Sequence, residues 1–174
     1  IESLKSRLPW LVINLFTAVL AAMVVSYFEG TISQVVTLAT IMPIVTGMGG
    51  NAGTQSLTIV VRGLSLGELT KENAAMILWK EIGVGMLSGV VIGLLIALGA
   101  MLLEGNPIFG IVTGAAMFLN MMLANIAGYF IPVILEKCHV DPALASGVFV
   151  TTVTDVLGFL FFLGLATVAL PYLL

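Results

Sequence analysis

The stretch Pro43-Ile44-Val45-Thr46-Gly47-Met48-Gly49-Gly50-Asn51-Ala52-Gly53-Thr54-Gln55 lies in the middle of a mostly apolar run from Ser33 to Val61. A helix needs about 20 apolar residues to cross a bilayer, so the run is long enough to be a membrane span. Its centre is unusual for one. Four glycines weaken a helix, and Pro43 removes a backbone donor and frees the carbonyl one turn earlier. Irregular backbone at membrane depth is tolerated only where protein buries it or water reaches it. The stretch therefore predicts a span interrupted by Gly and Pro and facing a cavity. Its polar residues also share a side. At 100° per residue, Gly47, Asn51, Thr54 and Thr58 fall within an arc of about 60°, and Gln55 borders it. A helix-packing stripe of small and polar residues would give the same pattern.

The rest of the chain places this stretch in lipid. Of 174 residues 60% are hydrophobic and 9% charged, with mean hydropathy +1.19. Soluble domains carry about 25% charged residues, and this chain has too few polar groups to cover a water-facing surface. An integral membrane protein, all-α, is expected, with no nucleic-acid partner. The length suits one compact domain, residues 1–174, and the lone Cys138 rules out an intrachain disulfide. The first residue is Ile1, which predicts a pore fragment of a longer protein.

Five spans are predicted, at about 8–28, 33–61, 82–103, 107–135 and 143–174, separated by charges and by helix-stop residues. The first is too long for the apolar core of a signal peptide, roughly 7–15 residues. With five spans, Lys5, Arg7, Arg62, Lys71, Lys80 and Lys137 all fall on one side, and the other side holds only Glu29 and Glu104. The excess of basic residues puts the N-terminus in the cytoplasm and the C-terminus outside, as for a multi-pass protein of the plasma or inner membrane. Between the second and third spans, Ser65 and Glu68 look like a helix start, and Leu66, Leu69, Ala74, Ile77 and Leu78 predict a helix lying along the cytoplasmic face. In the third span Gly85, Gly89 and Gly93 form a ridge of small residues suited to close helix packing. Trp10 and Tyr172 suit interfacial anchors.

The fifth span carries Asp155, the only charged residue expected deep in any span. A carboxylate at that depth costs at least about 2.5 kcal/mol, and such residues face a water path or a partner. Thr151 and Gly158 lie one turn to either side on its face, with Thr152 and Thr154 flanking. No lysine or arginine lies within a span to pair with it, which leaves a cation site or a proton site. Asp155 is roughly 20 Å in from Pro142, and Asn51 roughly 16 Å in from Arg62, both from the cytoplasmic side at helical rise. In a core about 30 Å thick the two polar patches can meet near mid-membrane.

The groups on offer are hard oxygens: a carboxylate, an amide, hydroxyls and backbone carbonyls. These favour Mg²⁺ or Ca²⁺ over Zn²⁺ or Cu²⁺. Mg²⁺ gives up its water reluctantly, so a sparse patch with one carboxylate suits a hydrated Mg²⁺ best, with Na⁺ left open. One chain offers little room for a pore. A homodimer would supply two carboxylates, and an odd number of spans makes its two-fold axis parallel to the membrane normal. The pore is expected at that axis, lined by the second and fifth spans.

Pro43 through Gln55 resembles the signature of the MgtE family of magnesium channels and transporters. So does Asp141-Pro142-Ala143-Leu144-Ala145-Ser146-Gly147, followed by Thr151-Thr152-Val153-Thr154-Asp155-Val156-Leu157-Gly158. The resemblance covers nearly the whole chain. It implies a homodimeric pore admitting largely hydrated Mg²⁺ to the cytoplasm, with Asp155 as the central carboxylate. It also implies backbone carbonyls from Gly47 and Thr151, with Asn51 lining the site. Gly50, Thr54, Gln55, Thr154 and Gly158 are then expected along the pore. Some members carry an asparagine at the position of Gly147, which leaves no side-chain contact expected there. The family's cytoplasmic regulatory domains, including a CBS pair, are expected upstream of the first span, and a pore without them should be poorly regulated.

The main rival is a secondary transporter coupled to protons or Na⁺, which also suits broken helices around a mid-membrane carboxylate. An intramembrane aspartyl protease needs two carboxylates sharing a proton, and each chain has one, so the chain is not expected to be an enzyme. A non-conducting scaffold has no use for Asp155. Cys138 and His139 are expected to be solvated loop residues rather than metal ligands, and Glu29 and Glu104 solvated carboxylates.

Overall fold

A computed structural model describes residues 2–70 and 72–174; Ile1 and Lys71, the latter counted above among the basic residues, lie outside the described residues. The chain is all helix: α1 (Glu2–Tyr27), α2 (Glu29–Gln34), α3 (Thr37–Ser65), α4 (Ala74–Glu104), α5 (Pro107–Lys137) and α6 (Pro142–Leu173). Among the described residues, four helical stretches are long and apolar enough to cross a membrane: Arg7–Tyr27, Ala74–Glu104, Pro107–Lys137 and Pro142–Leu173. The 29-residue α3 has the length, but its glycines, threonines, Asn51 and Gln55 keep it below the same standard of apolarity.

α5 is the hub. It packs along α4 on one side and against α3 and α6 on the other, while α1 lies against α6. Leu38, Val45, Phe109, Met117, Phe162 and Leu163 are fully buried where α3, α5 and α6 meet. The Gly85–Gly89–Gly93 ridge of α4 faces α5 as expected. A Cβ on Gly93 would stand 2.9 Å from the Gly114 carbonyl oxygen, so the two backbones nearly touch. Away from this seam α4 presents Leu87, Leu94, Leu95 and Leu102, all exposed, as an outward apolar surface.

The helix ends follow local signals. Asn106 and Asp141 each precede a proline at the first helical turn and accept from the backbone N–H of Ile108 and Ala143, both at 2.9 Å. Gly105 ends α4 with φ 69°, a left-handed conformation that favours glycine.

Two expectations about this architecture are corrected. α3 is not interrupted: it runs unbroken through Pro43 and all four glycines. Pro43 forfeits one ladder bond only. Tertiary packing then outweighs the poor helix propensity of glycine, because the lack of side chains at Gly49 and Gly53 lets α5 and α6 seat closely against the helix. The cytoplasmic-face helix is also absent among the described residues. Ser65 belongs to the last turn of α3, and its hydroxyl donates to the Val61 carbonyl at 2.9 Å rather than capping a new helix. Asn73 instead ties the connection into turns, accepting from the Thr70 N–H at 2.8 Å and donating to the Glu68 carbonyl at 2.7 Å. Ala74, Ile77 and Leu78 then open α4, eight residues earlier than the sequence placed the third span. Of the two aromatic anchors, Trp10 on α1 packs edge-on to Phe149 of α6, with ring centroids 6.4 Å apart, and Tyr172 near the end of α6 is exposed.

Candidate ion-path surface

α3 has two faces. Val45, Gly49, Ala52, Gly53, Ser56 and Val60 are buried toward α5 and α6. Gly47, Asn51, Thr54, Gln55 and Thr58, the stripe picked out by helical periodicity, are exposed on the outside of the chain. Most of the bundle's outward surface is leucine, isoleucine and valine, so a polar outward face stands apart.

The hydroxyls of that face are one-sided. The Thr54 hydroxyl lies 2.8 Å from the Gly50 carbonyl, and the Thr58 hydroxyl 2.7 Å from the Thr54 carbonyl. A carbonyl oxygen only accepts, so each hydroxyl spends its hydrogen on the helix and turns lone pairs outward. Asn51 and Gln55 have no hydrogen-bond partner among the described residues. Their amide oxygens, with the threonine lone pairs, suit the outward-pointing hydrogens of water around a cation.

On α6, Asp155 is half-buried and makes no hydrogen bond or ion pair among the described residues. Thr151, also half-buried, donates to the carbonyls of Gly147 and Val148 at 2.9 and 3.1 Å, again leaving an acceptor oxygen. Thr154 and Gly158 are buried and turned into the bundle rather than outward. The two helices meet at this level, since a Cβ on Gly50 would lie 3.9 Å from Thr154 Oγ1. Asn51 and Asp155 each follow one side of that contact in sequence. The two carbonyls singled out by the family resemblance differ. That of Thr151 already accepts the Thr154 hydroxyl at 3.0 Å besides its place in the helix ladder, whereas that of Gly47 accepts from no side chain among the described residues.

Toward one end, Val61 and Arg62 of α3 line a pocket with Pro142 and Ala143 of α6. Beside it Ser65, Glu136 and Asp141 line another, so charged groups ring the point where α3 ends and α6 begins.

Among the buried polar residues that the sequence does not single out, Glu81 and Asn120 stand out. Glu81 is 4% exposed in the second turn of α4, one turn before Gly85 and on the same ridge. The spacing 81-85-89-93 was the available signal; setting the start of the span at Ile82 hid it. Asn120, fully buried at the middle of α5, donates to the Val45 carbonyl at 2.9 Å. Its position inside an apolar span was the signal.

The profile of the family described as MgtE, divalent cation transporter, matches residues 42–165, from Met42 on α3 to Leu165 on α6. The chain belongs to the MgtE family. That match takes in the whole exposed polar face of α3 and the Asp155 segment. The chain is 42% identical over 161 residues to the magnesium transporter MgtE of Bacillus subtilis, covering 92% of this chain and 36% of that protein. It is 35% identical over 172 residues to the magnesium transporter MgtE of Enterococcus faecalis, covering 99% of this chain and 38% of that protein. Identity to the magnesium transporter MgtE of Thermus thermophilus is 34% over 165 residues, covering 95% of this chain and 36% of that protein. The chain thus spans little more than a third of the length of the relatives it matches. The family is described as one of divalent cation transporters, not of enzymes, and the long apolar helices are those of a multi-pass membrane protein.

Proposed function

We propose that this chain is the pore of a magnesium channel or transporter. Two copies pair in parallel around a central axis, and largely hydrated Mg²⁺ passes between them into the cytoplasm. α3 also crosses the membrane, as the second of five spans, its apolar shortfall made good because its polar face meets water in the path instead of lipid. The N-terminus and the α3–α4 and α5–α6 connections lie in the cytoplasm, the C-terminus outside. The greater length of the relatives leaves room for cytoplasmic regulatory domains beside such a pore.

The observation that carries this reading is the outward polar face of α3, where Thr54 and Thr58 turn lone pairs outward and Asn51 and Gln55 present free amides, beside the unpartnered carboxyl of Asp155. Lipid would leave that face unsolvated at a cost of about 1–3 kcal/mol per polar group, whereas a column of water around a cation satisfies it. In this arrangement Asp155 supplies the charge, and Asn51, Thr151 and the Gly47 carbonyl hold the waters of the ion. Thr54 and Gln55 continue the path toward the cytoplasm. Gly50 and Thr154 bring α3 and α6 together behind it, and Gly158 seats α6 against Asn120 of α5.

Asp155→Asn keeps the shape and removes the charge. Mg²⁺ uptake by the full-length protein in liposomes should fall about tenfold or more, the scale of losing a charged hydrogen-bond acceptor. Unchanged uptake with unchanged ion preference would remove the carboxylate from the path. Current carried with Mg²⁺ as the sole cation separates a pore from a proton- or sodium-coupled carrier, which needs the second ion.

A further inference from the structure

Asn120 sits where α3, α5 and α6 converge, and it is fully buried. Its Nδ2 donates to the Val45 carbonyl of α3 at 2.9 Å, while its Oδ1 is buried with no partner. Two glycines make room for it. A Cβ added to Gly49 of α3 would collide with the amide, standing 2.8 Å from its Cγ, and one added to Gly158 of α6 would stand 2.7 Å from Nδ2. Gly49 lies two residues from both Gly47 and Asn51, and Gly158 lies three residues after Asp155.

Packing alone does not account for this residue. Leucine has nearly the same shape and would fill the notch without leaving a buried oxygen unpaired, which costs about 1–3 kcal/mol. What the amide adds is direction: one bond to one carbonyl of α3, made from a group that α6 also rests against. We propose that Asn120 is a positioning residue that fixes the depth of α3 against α6, and so holds the polar face of α3 level with Asp155 in the ion path. This rests on the reading of that face and Asp155 as the ion path. Asn120 touches no ion; it acts through the register of the two helices that do.

The test compares Asn120→Leu, Asn120→Ser and Asp155→Asn in the full-length protein reconstituted in liposomes. The half-saturating Mg²⁺ concentration and the preference for Mg²⁺ over Na⁺ are measured per folded protein, beside the melting temperature. The leucine variant keeps the volume and loses the directed bond. The serine variant loses both and is small enough to seat. Half-saturation should rise about fivefold in both Asn120 variants, the scale of one net hydrogen bond, whatever the melting temperature does. A changed melting temperature with half-saturation and preference unchanged makes Asn120 a packing residue and overturns the proposal. So does failure of both Asn120 variants to assemble, since the amide would then serve folding rather than register. If Asp155→Asn alone shifts half-saturation, only the role of Asn120 falls. If Asp155→Asn shifts nothing, the ion-path reading falls and this inference with it.

Discussion

α3 and α4 both cross the bundle with glycines at helical spacing, yet those glycines meet opposite surroundings. On α4, Gly85, Gly89 and Gly93 are all buried against α5, and Met86, Leu87, Val90 and Val91 between them are apolar and exposed. On α3 the set is divided: Gly49 and Gly53 are buried, whereas Gly47 is exposed with nothing within 4 Å of where a Cβ would stand. A glycine stripe is therefore ambiguous in itself. The residues one turn away decide its meaning. Glycines spaced among valine and leucine make a seam, and a glycine followed by Asn51, Thr54 and Thr58 on its own face makes a polar wall.

The sharpest way to break the comparison is to fill one glycine of each kind. At Gly93 the obstacle is the Gly114 carbonyl, which cannot move aside without parting α4 from α5. Gly93→Leu should cost about 3 kcal/mol or more and show as loss of folded protein in detergent or a marked drop in melting temperature. A stable Gly93→Leu protein would mean that the seam is looser than the 2.9 Å approach implies.

Gly47 should answer in the opposite way. Gly47→Ala relieves the backbone entropy cost of glycine in a helix and should raise stability by about 0.5–1 kcal/mol, read as a higher melting temperature. Gly47→Leu should still fold but place an apolar side chain where a hydrated ion passes, lowering Mg²⁺ flux about tenfold, the scale of one lost charged hydrogen bond. Full flux through Gly47→Leu would place the path elsewhere and reduce the polar face to an interface.

How far the sequence carried depended on where the deciding partner lay. The boundaries near 107 and 143 were legible because charges and helix-stop residues mark them locally, and the caps found there, Asn106 and Asp141, also act within two residues. The polar stripe was legible because it follows from the helical period alone. The continuity of α3 was not. Local rules break a helix at Pro43 and a run of glycines, and the forces that hold it come from α5 and α6. Asn120 was missed for the same reason, its partner Val45 being 75 residues away. The Ser65 helix start failed because Asn73 offered the loop a better set of bonds than a cap would have. The depth match of Asn51 and Asp155, argued from helical rise, agrees with the contact of Gly50 and Thr154 beside them.

The smallest expected effect tests the finest part of the contrast, whether the α3 face works through lone pairs or only through polarity. Thr58 is exposed, and its hydroxyl donates to the Thr54 carbonyl at 2.7 Å, so only its outward lone pairs remain for water. Thr58→Val removes them at little change in size and frees a carbonyl that is already in the helix ladder. Stability should stay within about 0.5 kcal/mol, as at other exposed sites. Mg²⁺ flux should fall about twofold, the scale of a weak net hydrogen bond to one water among several. Thr58→Ser retains the lone pairs and should keep full flux. A valine variant as active as the serine variant would show that the Thr58 lone pairs order no water, and would confine that role to Asn51, Thr151, the Gly47 carbonyl and Asp155.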